Sequence, residues 1–274
     1  MAPSQEYNAT LAKRLDISAR QTIFRIKPDQ PVPFVAGQFT VLGLKHSAPR
    51  VPEADPEEDA DPAKADRLIR RAYSISSGSH EQDFLEFYLA LVSDGKLTPR
   101  LFQLREGDRL FVGAKATGVF TLDRVPPGQK ILLVGTGTGL APYISMVRTL
   151  ALGVGCPAVP LAILHGAAHS WDLGYRPELE MISKKCSNFQ YAPIISRPED
   201  EAVEWRGRTG RLTQWLTREA LTKLCGFAPT PGETHIFLCG NPGLVEEALA
   251  TFQGWGFDPG TRQEAGNLHV EKYW

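Results

Sequence analysis

The sequence predicts two domains, a six-stranded antiparallel β-barrel followed by a doubly wound α/β parallel sheet, and three observations carry that prediction. Residues 1–126 hold six short apolar runs punctuated by turn residues. Residues 127–274 alternate buried strand patterns with helical ones. Pro126-Pro127-Gly128 stands where one rhythm gives way to the other. A chain of 274 residues with 42 % hydrophobic residues is long and apolar enough for a core in each half.

The barrel strands are expected at Asn8 to Leu15, Gln21 to Ile26, Gln38 to Leu44, Leu68 to Ser76, Phe84 to Val92 and Asp108 to Val112. Asp29-Gln30-Pro31 and Glu106-Gly107-Asp108 are typical breaks between such runs. One helix is expected among them, with Thr98 as N-cap, Pro99 in the first turn and Arg100 to Leu104 continuing. The piece 47–66 interrupts two strands and is acidic and rich in Pro and Ala, the composition of a disordered or mobile hairpin extension.

Net charge is −1, which points away from nucleic acid as a partner. That balance hides a segregation, because residues 53–66 carry seven acids against the single base Lys64. The rest of the chain is basic, which suits an acidic partner docking away from the acidic patch. The four cysteines, Cys156, Cys186, Cys225 and Cys239, show no CxxC spacing, so zinc and iron–sulfur sites are not expected. No apolar run reaches membrane-spanning length and Met1 to Arg14 lacks a signal-peptide core, so a cytoplasmic protein with reduced thiols is expected.

Four stretches carry candidate chemistry. In the strand Leu68 to Ser76, Arg71 and Tyr73 share one face. An aromatic plane beside a guanidinium suits a ligand with a flat ring and a phosphate. Asp94-Gly95-Lys96 leads into the helix at Thr98, and a helix start beside a lysine attracts phosphate. Gly135-Thr136-Gly137-Thr138-Gly139 follows a strand and opens a helix, either as a tight turn or as a cradle for a phosphate chain. Cys239-Gly240-Asn241-Pro242 repeats that geometry, with Cys239 either a buried structural residue or the neighbour of a reacting ring.

In the second half, strands are expected at Ile131 to Val134, Val159 to Leu164, Phe189 to Ile195 and His235 to Leu238. Helices are expected at Gly139 to Leu152, Pro177 to Lys185, Leu212 to Leu224 and Pro242 to Gln253. No carboxylate closes the second strand, where an NAD-type fold often places one for the ribose. Ser196-Arg197 and then Arg206, Arg208 and Arg211 follow the third, which suits an extra 2′-phosphate. The terminal Tyr273-Trp274 either plugs the core or stacks on a flat ligand.

With these motifs in this order, the chain resembles the bacterial branch of the ferredoxin/flavodoxin–NADP reductase family over nearly its whole length. The resemblance is carried by Arg71-Ala72-Tyr73-Ser74, Phe87-Tyr88, Asp94 to Arg100, Gly135 to Gly139 with Ala141-Pro142, Cys239 to Pro242, and Tyr273-Trp274. It implies an FAD-binding domain at 1–126 and an NADP-binding domain at 127–274. FAD would contact Arg71, Ala72, Tyr73, Ser74, Tyr88, Lys96, Leu97, Thr98, Thr138, Tyr273 and Trp274. NADP would contact Gly137, Ala167, Ala168, Ser196, Arg197, Arg211 and Gly240. Ser74, Cys239 and Tyr273 would border the reacting rings, and the tail would gate the nicotinamide.

The implied activity is hydride transfer between NADPH and flavin and single-electron exchange with ferredoxin or flavodoxin, an acidic carrier, by a monomer. A departure from the family stands at Ala168, where an arginine is common, with His169 or Arg208 as its possible replacement. The rival readings are the reductase of an oxygenase, a free-flavin reductase, and a flavin-binding module without nicotinamide turnover.

Overall fold

The computed structural model describes residues 6–57, 61–261 and 266–272. The chain divides after Val119 into two compact units. That is ahead of the break expected at Pro126-Pro127-Gly128, and the reason is one aromatic contact set. Phe120 packs edge-on against Phe237 at 5.1 Å and lies 6.1 Å from the Tyr143 ring, so the lead into the second half already belongs to the second unit's core.

The first unit contains β1 (Ala9–Ser18), β2 (Gln21–Pro28), β3 (Phe39–Lys45), β4 (Leu68–Ser74), β5 (Leu85–Ala90) and β6 (Arg109–Val112). They form one antiparallel sheet in the order β4-β3-β6-β1-β2-β5. Its edges meet beyond β4, where Ile75 bridges Phe87 and the Ser76 N–H donates to the Glu86 carbonyl at 2.8 Å. The six-stranded barrel is therefore as expected, and closure leaves no long free edge. Leu11, Phe24, Ile26, Leu42, Phe87 and Leu110 fill it, fully buried.

The helix α1 (Thr98–Gln103) is present, but Thr98 is not its cap. Leu97 holds the cap position without a side-chain bond, while the Thr98 hydroxyl is engaged with both the N–H and the carbonyl of Val92. Thr98 thus ties the turn to the end of the preceding strand instead of serving the helix.

The acidic insertion is the second correction. Its described parts pack in place, with a short 3-10 turn at Pro62–Lys64 capped by the Asp61 carboxylate. Arg50 reaches the carbonyls of Ser93, Gly95 and Asp55, and the Val51 N–H donates to the Pro99 carbonyl at 3.0 Å. The almost fully buried Arg100 donates to the carbonyls of His46 and Lys96 and to Glu57 at 2.6 Å. Composition alone suggested disorder because it does not reveal that Arg50 within the piece and Arg100 far outside it would hold it down.

Arg100, first through its hydrogen bond and then through its charge, holds the Glu57 carboxyl below the usual glutamate range. A depressed carboxyl stabilises the fold above its unfolded pKa, and that contribution is lost as pH falls through the folded value. Glu57→Gln is expected to cost about 1–2 kcal/mol at neutral pH and to weaken the acid dependence of unfolding. Unfolding curves at pH 7 and pH 4 check this, and equal losses at both would contradict it.

The second unit contains β7 (Lys130–Thr136), α2 (Ala141–Val154), β8 (Leu161–Ala167), α3 (Arg176–Lys185), β9 (Phe189–Ile195), β10 (Arg208–Thr209), α4 (Arg218–Cys225), β11 (Thr234–Gly240), α5 (Pro242–Gly254) and β12 (Leu268–Lys272). All strands pair in parallel, in the order β10-β9-β8-β7-β11-β12. The order reverses between β7 and β11, the switch point at whose carboxyl ends ligands bind in such sheets. Residues of α4 and α5, among them Leu221, Leu224, Val245 and Phe252, cover one face with Val134, Leu164, Ile194 and Leu238.

The helix expected from Leu212 to Leu224 is two pieces, a 3-10 turn at Leu212–Trp215 and then α4, whose first turn is capped by Thr217. Cap chemistry at Thr217 outweighed the continuous apolar period. The edge strands β10 and β12 were not foreseen, since neither has a run of its own length.

The thiols differ from expectation too. Cys156 and Cys186 form a disulfide, while Cys225 and Cys239 are buried thiols outside it. Cys156 lies just past α2 and Cys186 caps the end of α3. Arg148 of α2 pairs with Glu178 of α3 at 2.7 Å, so the two helices lie side by side and their ends bring the cysteines together. No helix of the described residues is long and apolar enough to cross a membrane.

Candidate functional site

The second unit builds its site where β7 and β11 end. The backbone leaves β7 through a 3-10 turn, Gly137–Leu140, and enters α2 with Pro142 in the first turn. Beside it, β11 ends at Gly240 (φ 126) and Asn241 caps α5 by accepting the Gly243 N–H at 2.9 Å. The two turns touch. The Asn241 N–H donates to the Thr136 hydroxyl at 3.1 Å, and a Cβ on Gly139 would stand 2.6 Å from the Gly240 Cα. Beneath them the buried Tyr143 hydroxyl lies within hydrogen-bonding distance of the carbonyls of Val134 on β7 and Phe237 on β11.

Gly137 is different from Gly139. It takes φ 53, and a Cβ there would meet nothing within 4 Å. The turn therefore has one glycine that locks it to its neighbour and one that leaves open room for a ligand chain to approach the backbone. Thr138 is half-buried between them. This arrangement fits a dinucleotide pyrophosphate. Cys239 is fully buried at the same strand end, and Gly240 is buried with it.

The carboxyl ends of β8 and β9 bring the expected phosphate residues together. The Ser196 N–H donates to the Ala167 carbonyl at 3.0 Å and the Arg197 N–H to the Ala168 carbonyl at 2.9 Å. Arg208 sits in β10 opposite Ile194, and Arg211 follows Gly210, whose N–H donates to Ile195. Ser196, Arg197 and Arg211 are all exposed.

His169 does not replace the arginine missing at Ala168. Its ring stacks on Trp171 at 4.4 Å, with Nδ1 3.1 Å from Asp172 and Nε2 3.1 Å from Asp200. Both nitrogens are taken by carboxylates, and although burial opposes it, the Asp200 and Asp172 bonds hold the His169 pKa up. Glu201 accepts from both the Ser170 N–H and its hydroxyl, so this corner is acidic as well as basic. Arg208 is the remaining candidate for that charge.

The first unit presents its residues along β4 and the start of α1. Arg71 and Ala72 are exposed, Tyr73 is half-buried against the barrel core, and Ser74 is buried. Burial raises the Tyr73 phenol pKa far above its ordinary value against the pull of the Arg71 charge, so the ring is neutral at any working pH. Lys96 is exposed, whereas Leu97 and Thr98 are buried. An exposed guanidinium, an exposed ammonium and a half-buried neutral aromatic ring are the donor set a flavin dinucleotide calls for. Tyr88 is less available, because it is buried in β5 with its hydroxyl bonded to Gln21. Tyr273 and Trp274 lie outside the described residues.

Two residues that support this site had no sequence signal. Tyr143 reads as one more apolar residue of a helix, and the Thr136 hydroxyl as part of a turn. Their roles depend on the parallel pairing of β7 with β11, which no local pattern states.

The comparisons with known proteins agree with this geometry. The family model described as the oxidoreductase NAD-binding domain matches residues 133–249. The chain is 31 % identical to the flavodoxin/ferredoxin–NADP reductase of Escherichia coli (strain K12) over 256 residues, covering 92 % of this chain and 93 % of that one. It is 31 % identical to the ferredoxin–NADP reductase of Pseudomonas aeruginosa over 249 residues, or 87 % of this chain and 86 % of that one. Its fold matches that of a ferredoxin NADP+ reductase from Neisseria gonorrhoeae, solved with bound FAD and NADP, at a TM-score of 0.78 and 22 % identity over 97 % of each chain. Sharing its fold along the chain and nearly a third of its residues with such relatives, this chain belongs to the flavodoxin/ferredoxin–NADP reductase family.

Proposed function

We propose that this protein is an FAD-dependent reductase that moves hydride between NADP(H) and flavin and passes electrons singly to or from a ferredoxin or flavodoxin. The observation that carries the reading is the end of the parallel sheet. There, the open Gly137 turn stands on β7, and Ser196-Arg197 are hydrogen-bonded to Ala167-Ala168 across the neighbouring strands. FAD, when bound, supplies the redox chemistry. The protein binds, orients and charges the site.

In the first unit, the Tyr73 ring offers a stacking face, the Ser74 hydroxyl a polar contact at its edge, and Arg71 with Lys96, Leu97 and Thr98 a cationic, N–H-bearing place for the pyrophosphate. Ala72 and Tyr88 border that place. In the second unit, Gly137 leaves room for the dinucleotide backbone, and Gly240 packs on Thr136 beside it. Ser196, Arg197 and Arg211 hold the 2′-phosphate, and Cys239 lies by the nicotinamide. The acidic carrier is a ferredoxin or flavodoxin, the setting cytoplasmic, and the working form a monomer.

The test is the visible spectrum of the purified protein with NADPH or NADH added in parallel without oxygen. Bleaching of a flavin band supports the reading, and a bound flavin that neither nucleotide reduces overturns it. Selectivity follows from charge. With alanine at 168 and His169 committed to two carboxylates, the preference for NADPH over NADH is expected to be modest. Ala168→Arg is expected to increase it about tenfold or more, as one added charge-assisted phosphate contact does. Arg197→Ala is expected to reduce it by a similar factor. Ratios of kcat/KM for the two nucleotides check both, and unchanged ratios would remove these residues from the phosphate site.

A further inference from the structure

Two 3-10 turns adjoin at the carboxyl end of the sheet, Ser170–Asp172 after β8 and Pro198–Asp200 after β9. His169 stands at the head of the first and Arg197 at the head of the second. The Arg197 N–H donates to the Ala168 carbonyl at 2.9 Å, and the Asp200 N–H closes the second turn on the Arg197 carbonyl at 3.3 Å. Two side-chain bridges then join the turns. The Glu201 carboxylate accepts from the Ser170 N–H and hydroxyl. The His169 ring spans Asp172 of its own turn and Asp200 of the other, each at 3.1 Å.

Those two contacts decide the charge of the ring. A neutral imidazole has one N–H, and a carboxylate oxygen only accepts. Carboxylates on both Nδ1 and Nε2 therefore require an N–H on each, which is the imidazolium. Burial opposes that charge, but the hydrogen bonds of Asp200 and Asp172 outweigh it and raise the pKa. The uncharged Trp171 ring covers one face. The charged groups around the ring are Asp172 on its own turn and Asp200 on the other, with Glu201 following Asp200 and with Arg197 and Glu199 on the same stretch of chain. When the ring gives up its proton, the remaining N–H serves one carboxylate and the bare nitrogen faces the other, lone pair against lone pair. Asp200 is the more exposed of the two, 52 % against 18 % for Asp172, and so is the one with room to leave.

We infer that His169 is a positioning residue for the 2′-phosphate side of the site: its imidazolium, bridging Asp172 and Asp200, holds the turn that begins at Arg197, so discrimination between NADPH and NADH falls as the ring loses its proton. The inference rests on the proposed use of Ser196, Arg197 and Arg211 by that phosphate. It goes beyond it by naming a group that touches no ligand and makes the discrimination depend on pH. Both consequences of deprotonation act in one direction. The turn loosens, and the corner becomes more negative by one charge beside the residues that would hold a phosphate dianion. A contribution from a group whose pKa is raised is present below that pKa and lost as pH rises through it.

The experiment measures kcat/KM for NADPH and for NADH on the FAD-loaded full chain, with ferricyanide as acceptor, from pH 7 to pH 9. NADH differs from NADPH only in lacking the 2′-phosphate, so the ratio cancels pH effects on the flavin and on the hydride step. A phosphate monoester has its second pKa at about 6, so the charge of the ligand is constant over this range. The wild-type ratio is expected to fall about three- to tenfold, as loss of a charge-assisted contact does. His169→Phe keeps a ring for Trp171 but no donor, and its ratio is expected to be low and flat. Asp200→Asn keeps an acceptor and removes the charge, so its fall is expected to be complete at lower pH than in the wild type. A wild-type ratio that is constant from pH 7 to pH 9 would overturn the inference. So would a His169→Phe ratio that falls as the wild type's does, or an Asp200→Asn profile at unchanged pH. Should His169→Phe fail to fold, the Asp200→Asn profile decides alone. A flavin that NADPH does not reduce in the wild-type chain would instead overturn the proposed function.

Discussion

Gly139→Ala is expected to lose NADP+ binding by at least a hundredfold and to destabilise the second unit by about 3 kcal/mol, near the upper end of what overpacking costs. The added Cβ would stand 2.6 Å from the Gly240 Cα and 2.7 Å from both the Gly240 nitrogen and the Cys239 oxygen. All three are backbone atoms, so no side-chain rotation relieves the overlap, and the turns ending β7 and β11 must part. FAD affinity is expected to hold, since the barrel has its own core. The control is Gly137→Ala, whose Cβ meets nothing and whose cost is only that of a left-handed backbone, about 1–2 kcal/mol. Thermal unfolding and NADP+ titration of the two variants check the ordering. If Gly137→Ala proved the more damaging to the fold, the packing of Gly139 on Gly240 would be wrong.

Opening the Cys156–Cys186 disulfide is expected to destabilise the second unit by about 3–4 kcal/mol. Its cysteines are 30 residues apart in sequence, and a closed loop of that length removes roughly this much from the unfolded chain's entropy. At roughly 2–4 °C per kcal/mol for a unit of this size, its melting transition should fall by about 10 °C in a Cys156→Ser, Cys186→Ser double variant. The same shift should follow when the wild-type chain is reduced. Calorimetry with and without a reductant measures it, with mass after alkylation to confirm the thiol state. Identical transitions for the reduced and oxidised chains would show that the link contributes nothing. In a cytoplasmic setting this pair faces a reducing pool, so the unit's stability would follow the thiol poise of the cell.

The strands of the barrel and the four central strands of the second unit were legible because each carries its own signal. Turn residues bound it, and apolar residues recur with a period that a strand requires. The glycines of 135–139, the Arg71-to-Ser74 strand and the Ser196-Arg197 pair were legible for a related reason, since they are local motifs with local chemistry. Where prediction failed, the deciding partner was far away in sequence. The acidic insertion is held by Arg100, His169 is committed to Asp200, and β10 and β12 are strands only because β9 and β11 lie beside them.

By itself the sequence determined the two-domain order, the type of each sheet, and the residue types offered to a flavin and to a phosphorylated dinucleotide. These depend on periodicity, turn chemistry and motif spacing, which are properties of neighbouring residues. Only the tertiary structure decided that Gly139 locks the turn while Gly137 opens it, that Cys156 meets Cys186, and that the buried His165 ring meets the Tyr191 hydroxyl. Those relations come from strand register and from which helix ends lie side by side. Both are set by the packing of the whole unit, and no window along the chain contains them.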